Sequence, residues 1–205
     1  MPRTTDGRLG RVGLLAWFLA AGSAGVSAQE YHVDREGENR VTFRSRASIE
    51  EFEGVTDRVD GYVLLDGERL TPETGGDDTG FYLEVDLASL DTGIGLRDRH
   101  MRDNYLEVRD HPYASYEGRI VATEVVGDGR FAVSSRGKLS IHGVTREVEV
   151  PCEVEARGEG YRARCDFQVL LSDHDIEIPS VMFLKLANEI RLEVEFTVLP
   201  ATPER

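Results

Sequence analysis

The sequence predicts an all-β protein, an antiparallel barrel or sandwich of about eight to ten strands with a single helix. Three observations carry this. Apolar and polar residues alternate with period two along several stretches. Glycine-containing pairs of turn residues separate those stretches. Only one segment has the apolar spacing of a helix.

The N-terminus comes first. Arg3, Arg8 and Arg11 precede the apolar run from Val12 to Ala21, which is shorter than the roughly 20 residues a spanning helix needs. Val26 and Ala28 then stand before Gln29 in the manner of a signal-peptidase site. The reading is a signal peptide over residues 1–28 and one domain over 29–205, exported to the periplasm. An N-terminal membrane anchor is the alternative. The remaining 177 residues suit one core. Removing three Arg and one Asp takes the net charge from −14 to about −16. That charge argues against nucleic acid and anionic lipid surfaces as partners. No second apolar segment is long enough to insert stably in a membrane.

The strands follow in order. Val41 and Phe43 begin a weak alternation, and Val59, Gly61, Val63 and Leu65 another, which Tyr62 and Leu64 blur. Thr71 to Thr79 is polar and glycine-rich and reads as a mobile loop with a solvated acidic tip. Phe81, Leu83, Val85 and Leu87 then alternate cleanly. Leu96 to Val108 is the helical stretch, with Met101, Tyr105 and Val108 on one face and Pro112 as its stop. Asp128-Gly129 and His142-Gly143 mark hairpins around the segment that contains Phe131 and Val133. Val169 sits on a later strand. The last strand is the clearest, with Ile190, Leu192, Val194, Phe196 and Val198 against Arg191, Glu193, Glu195 and Thr197.

One hairpin can be registered from the sequence. With Gly158-Glu159 as a type II′ turn, Glu153 faces Arg164 and Glu155 faces Arg162, two pairs of opposite charge. On the other face Val154 meets Ala163 and Cys152 meets Cys165. The cysteine pair falls at a non-hydrogen-bonded position, where α-carbons lie about 4.5 Å apart, near the short limit for a disulfide. A Cys152–Cys165 cross-strand disulfide is expected in an oxidising compartment, and two buried thiols are the alternative.

Motifs for catalysis do not emerge. Nucleophile-elbow, phosphate-loop and dinucleotide-binding patterns are missing, so no catalytic residue is assigned. His32, His100, His111, His142 and His174 lack metal-ligand spacing, and neighbours in Asp173-His174-Asp175 would point to opposite faces of a strand. No metal site and no cofactor are expected. Phe43, Val63, Phe81, Leu83, Val85, Phe131, Val133, Val169, Leu192, Val194 and Phe196 share the apolar faces of the strands. A barrel of about eight strands can fill that interior with side chains or hold a small ligand. The pattern leaves both open.

Several motifs resemble a known family. Asp91-Thr92-Gly93-Ile94, then Arg97-Asp98 and His100-Met101-Arg102, are similar to a segment of the YceI-like, polyisoprenoid-binding proteins. Tyr105 to Val108, His111-Pro112-Tyr113-Ala114 and Gly137 to Arg146 continue the likeness in order. It covers about residues 30 to 199. The resemblance implies an extended, lipocalin-like antiparallel barrel with a lid helix. It also implies an isoprenoid or quinone-like lipid as ligand, with an amphiphilic lipid as the partner and no catalysis. The tunnel would be lined by the apolar residues above together with Met101 and Tyr105. Arg97, Asp98 and His100 would meet a head group or only hold the lid. A quinone-linked redox accessory, a lipid-modifying enzyme and a stress protein with a packed barrel are the other functions to weigh, and a homodimer is left open. The cysteines depart from the common family pattern.

Overall fold

A computed structural model of the chain describes residues 28–47, 51–178, 180–181 and 184–201. The expected signal peptide, apart from Ala28, lies outside them. The alternating segments form β1 (Gln29–Val33), β2 (Arg40–Ala47), β3 (Glu51–Thr56), β4 (Val59–Leu65) and β5 (Gly80–Asp86). Then come α1 (Gly95–Asn104), β6 (Tyr113–Gly127), β7 (Arg130–Ile141) and β8 (Val144–Arg157). The chain continues through β9 (Gly160–Leu170), β10 (Ser180–Val181) and β11 (Leu184–Pro200).

Eight strands close a ring in the order β1, β4, β5, β6, β7, β8, β9, β11, with every neighbour antiparallel. The seam is β1 on β11, from Tyr31 opposite Pro200 to Val33 opposite Val198. Lower on the same edge β2 replaces β1, with Val41 opposite Val194, and β3 pairs with β2. The β1–β11 pairing closes the ring, while β3, paired with β2 and joined to Asp91 by one bridge, stands at the end of the sheet. The barrel is elongated because its strands are long. β11 has 17 residues, or roughly 55 Å at the ordinary rise of a strand.

The two ends differ. At one end lie the β6–β7 and β8–β9 hairpins, and residues 66–79 fold across them. Within it, the sequence pattern of Thr71 to Thr79 reads as a mobile loop, but the segment is docked. Gly76 N donates to Ile120 O at 2.9 Å, Leu70 N donates to the Tyr161 hydroxyl at 3.0 Å, and Leu70 and Thr74 are buried. Leu70 is the apolar residue that pulls it in. At the opposite end lie α1, the His142-Gly143 turn and a 3-10 turn over Leu171–His174.

Two local readings change and one blurred pattern is resolved. The helix stops at Asn104, short of Val108, because Met101 O accepts from both Tyr105 N and Leu106 N and Glu107 turns to φ 45°. Pro112 therefore does not end it. In β4 the register is as read, and Tyr62 lies outside, stacked on Tyr82 at 6.4 Å between centroids. In the β8–β9 hairpin the predicted register holds at every pair. The arginines, however, turn away from Glu153 and Glu155. Arg162 and Arg164 reach Glu195 on β11 at 2.9 and 3.6 Å. A strand inside a sheet has two neighbours, and Glu195 is the less exposed carboxylate.

Candidate functional site

The inward faces of the strands do not fill the barrel. They enclose a cavity of about 780 Å³ with walls almost wholly apolar. Long strands and a closed ring create it, since the interior of an eight-stranded barrel can be packed or left hollow depending on the side chains. The packed-barrel alternative is thereby excluded. Val63, Phe81, Leu83 and Val85 line one wall, Val133 and Val169 another, and Phe43, Leu192, Val194 and Phe196 a third. Met101 and Tyr105 line it from the lid. Phe131 does not. It packs against the buried cluster beside Val154 near the hairpin end, beyond the hollow part.

The floor is a set of residues that the sequence does not assign to the site. Tyr31 and Tyr161 meet edge to face at 5.4 Å between centroids, and the Tyr31 hydroxyl donates to Glu68 O at 2.7 Å. Burial, with the neighbouring Tyr161, pushes the Tyr31 hydroxyl above its ordinary pKa. Leu65 and Leu70 seal the same end. The mouth lies at the helix. Ile94 and Leu96 line the cavity yet are 53% and 73% exposed.

Few polar groups reach the interior. The Ser135 hydroxyl donates to Val150 O at 3.0 Å and lies 3.2 Å from the Tyr116 hydroxyl. Burial pushes the Tyr116 hydroxyl above its ordinary pKa. Ser45 is buried in the wall, and its Oγ has no hydrogen-bond partner among the described residues. The Cys152–Cys165 disulfide is formed, with α-carbons 4.1 Å apart, and both cysteines line the cavity.

The lid residues divide by contact. Arg97 lines the mouth, where Nε and Nη2 donate to Thr92 Oγ1 and O, each at 2.8 Å. Its guanidinium sits 4.6 Å over the Phe52 ring, a contact that pins the side chain between the loop and β3. Asp98 does not reach the cavity. It is buried and accepts from Thr92 N at 2.9 Å and Thr92 Oγ1 at 2.5 Å. Burial pushes the Asp98 carboxyl up, but the Thr92 hydrogen bonds outweigh it and hold the group below the usual range. Its Oδ1 is directed back into the loop before α1, the contact that the lid-holding alternative calls for. His100 lines the mouth, exposed, with its ring edge-on to Tyr105 at 6.0 Å. His174 also lines the cavity and is 2% exposed, with Nδ1 3.0 Å from Val144 O. The five histidines were read as scattered, but three residues converge outside the cavity wall, namely Glu107, His111 and His142.

No helix among the described residues is long and apolar enough to cross a membrane.

Comparison with known proteins gives a consistent picture. The model of the YceI-like domain matches residues 31–198. A UPF0312 protein of Pseudomonas savastanoi pv. phaseolicola is 29% identical over 153 residues, 71% of this chain and 73% of that one. A UPF0312 protein of Vibrio campbellii is 26% identical over 162 residues, 76% of this chain and 80% of that one. Among solved structures, BcnA of Burkholderia cenocepacia superposes with a TM-score of 0.63 at 19% identity, over 83% of this chain and 99% of its own. A polyisoprenoid-binding domain from Saccharophagus degradans does so with 0.61 at 16% identity, over 83% and 98%. With the family model matched from the first barrel strand to the last, and the barrel itself shared with these structures, the chain belongs to the YceI-like domain family.

Proposed function

We propose that this protein holds the apolar chain of an isoprenoid or quinone-like amphiphile inside the barrel, in the periplasm, for storage or carriage and without converting it. The observation that carries this reading is the apolar cavity of about 780 Å³. That size falls within the roughly 300–1,000 Å³ of pockets that bury most of a small ligand. Each buried methylene returns about 0.8 kcal/mol, so a ten-carbon stretch gains roughly 8 kcal/mol before the losses of motion on binding are subtracted. The likeness to a polyisoprenoid-binding domain supports the ligand class. The disulfide supports an oxidising compartment.

The polar end of the ligand stays at the mouth, where Arg97 and His100 stand beside exposed Ile94 and Leu96. The Ser45 hydroxyl is available for a polar atom deeper in the wall. The hydroxyl of Ser135 is already engaged by a backbone carbonyl, which suits holding over attack on a bound ligand.

The test is extraction of the purified protein with organic solvent, followed by mass spectrometry. An isoprenoid or related amphiphile is expected near one per chain. Ala114→Phe places a ring into the cavity wall and is expected to lower that yield at least tenfold while the circular dichroism spectrum is kept. A protein that yields no lipid and shows no saturable binding of a fluorescent isoprenoid would overturn the reading.

A further inference from the structure

We propose that Glu107, His111 and His142 form a binding site for a first-row divalent metal ion of the zinc type, and that the ion clasps the segment behind the lid helix to the barrel. The sequence hides this site because its residues come from two elements. Glu107 and His111 lie between α1 and β6, where His111 N donates to Glu107 O at 3.0 Å. That hydrogen bond closes a single turn and brings the two residues close together. His142 occupies the two-residue turn between β7 and β8.

The donor atoms are placed for a shared ion. One ligand atom from each residue lies within 4.8 Å of the others. His142 Nε2 and Glu107 Oε2 are 3.3 Å apart. Two donors each about 2.0–2.1 Å from a tetrahedral zinc are separated by roughly 3.3 Å, so this pair already has the edge length of a tetrahedral site. The imidazole rings of His111 and His142 stand 5.1 Å apart at 69°, so the remaining donor closes by a small ring rotation.

A second observation comes from the tautomer of His142. Its Nδ1 lies 3.1 Å from the His174 carbonyl oxygen, which can only accept. In the neutral ring Nδ1 then carries the hydrogen, and Nε2 presents its lone pair toward the carboxylate. Nε2 is buried and makes no hydrogen bond among the described residues despite the nearby Glu107 oxygen. A lone pair facing a carboxylate across 3.3 Å is the arrangement a cation resolves. An imidazole that donates its other nitrogen to a carbonyl is also the usual outer support of a metal-bound histidine. The support is firm here, since His174 is buried and bonded to Val144 O.

The two-residue β7–β8 turn, with positive φ at both His142 and Gly143, sets the direction of the His142 ring. Glu107 and His142 take φ of 45° and 52°, a conformation rare outside glycine. At Gly143 a β-carbon would meet the His111 ring at 2.6 Å, so only glycine leaves room for that ring. Glu107 is half exposed, which gives an ion a path in and leaves open positions for water. Because Leu106 and Ile141 line the cavity, an ion bridging their neighbours ties the lid segment to the cavity wall.

The full chain, stripped with a chelator, is titrated with zinc chloride in a calorimeter. One saturable ion per chain is expected. His111→Gln and His142→Asn, the latter tolerant of positive φ, are each expected to weaken it at least tenfold. His32→Gln, at the exposed pair with Glu30, is the control and is expected to leave affinity unchanged. Zinc should also raise the melting temperature of the wild type and of His32→Gln but not of His142→Asn, and should slow hydrogen exchange over residues 105–111. Absence of saturable binding to the wild type, or binding that survives both site variants, would overturn the proposal. Failure of lipid to co-purify would not touch it.

Discussion

At Asp98 burial and hydrogen bonding pull the carboxyl in opposite directions, and hydrogen bonding wins. The family-like motif, in which it adjoins Arg97, leaves open whether it meets a head group or only holds the lid. Its neighbours in space, Thr92 N and Thr92 Oγ1, make it the anchor of the loop that leads into the lid. Asp98→Ala removes Oδ1, the acceptor of both Thr92 bonds, and leaves the half-buried Thr92 amide without that partner, which costs about 1–3 kcal/mol. The urea midpoint is expected to fall accordingly, with hydrogen exchange rising over residues 88–104. An unchanged midpoint would place Asp98 outside the lid's support. Arg97 was legible as a mouth residue from the motif alone. Its stacking on Phe52 was not, because Phe52 lies 45 positions away on β3.

The β8–β9 hairpin is the element that local sequence describes best. Turn type, register and disulfide all follow from counting outward from Gly158, whose φ of 59° fits the first position of the predicted turn. Joining residues 13 apart removes unfolded-chain freedom worth roughly 3 kcal/mol. The double variant Cys152→Ala/Cys165→Ala is expected to lose up to about that much stability and keep its β-sheet spectrum. Maleimide labelling of the unfolded, unreduced wild type should find no thiol, and two labels per chain would contradict the bridge. The lid helix was less legible. Periodicity carried it to Val108, whereas competition for the Met101 carbonyl ends it at Asn104.

On the scale of the whole molecule, ion pairs between neighbouring strands cover the outside of the barrel. Hydrogen bonds from Arg35, Arg136 and Arg191 hold Asp60, Glu149 and Asp166 below the usual carboxylate range. A carboxylate depressed in the folded state contributes stability above its unfolded pKa, about 4, and loses it as pH falls through the lower folded value. The urea midpoint should therefore show no loss from these groups between pH 7 and 5 and a decline below about pH 4. The three pairs are partly exposed, so 1 M salt should weaken their share and leave that of Asp98. A midpoint that rises on acidification below pH 4 would be the opposite sign.

The sequence by itself determined the strand class, the turns, the outward and inward faces and the cysteine pairing. All of these depend on spacing within a few residues, where period two and turn chemistry act directly. Only the tertiary structure decided that the interior is hollow, that residues 66–79 close one end, that Phe131 lies outside the cavity and that Glu107, His111 and His142 meet. Each of these is a property of ring closure. The volume left inside a barrel depends on how eight strands tilt and which side chains face one another across it, and no stretch of one strand records that.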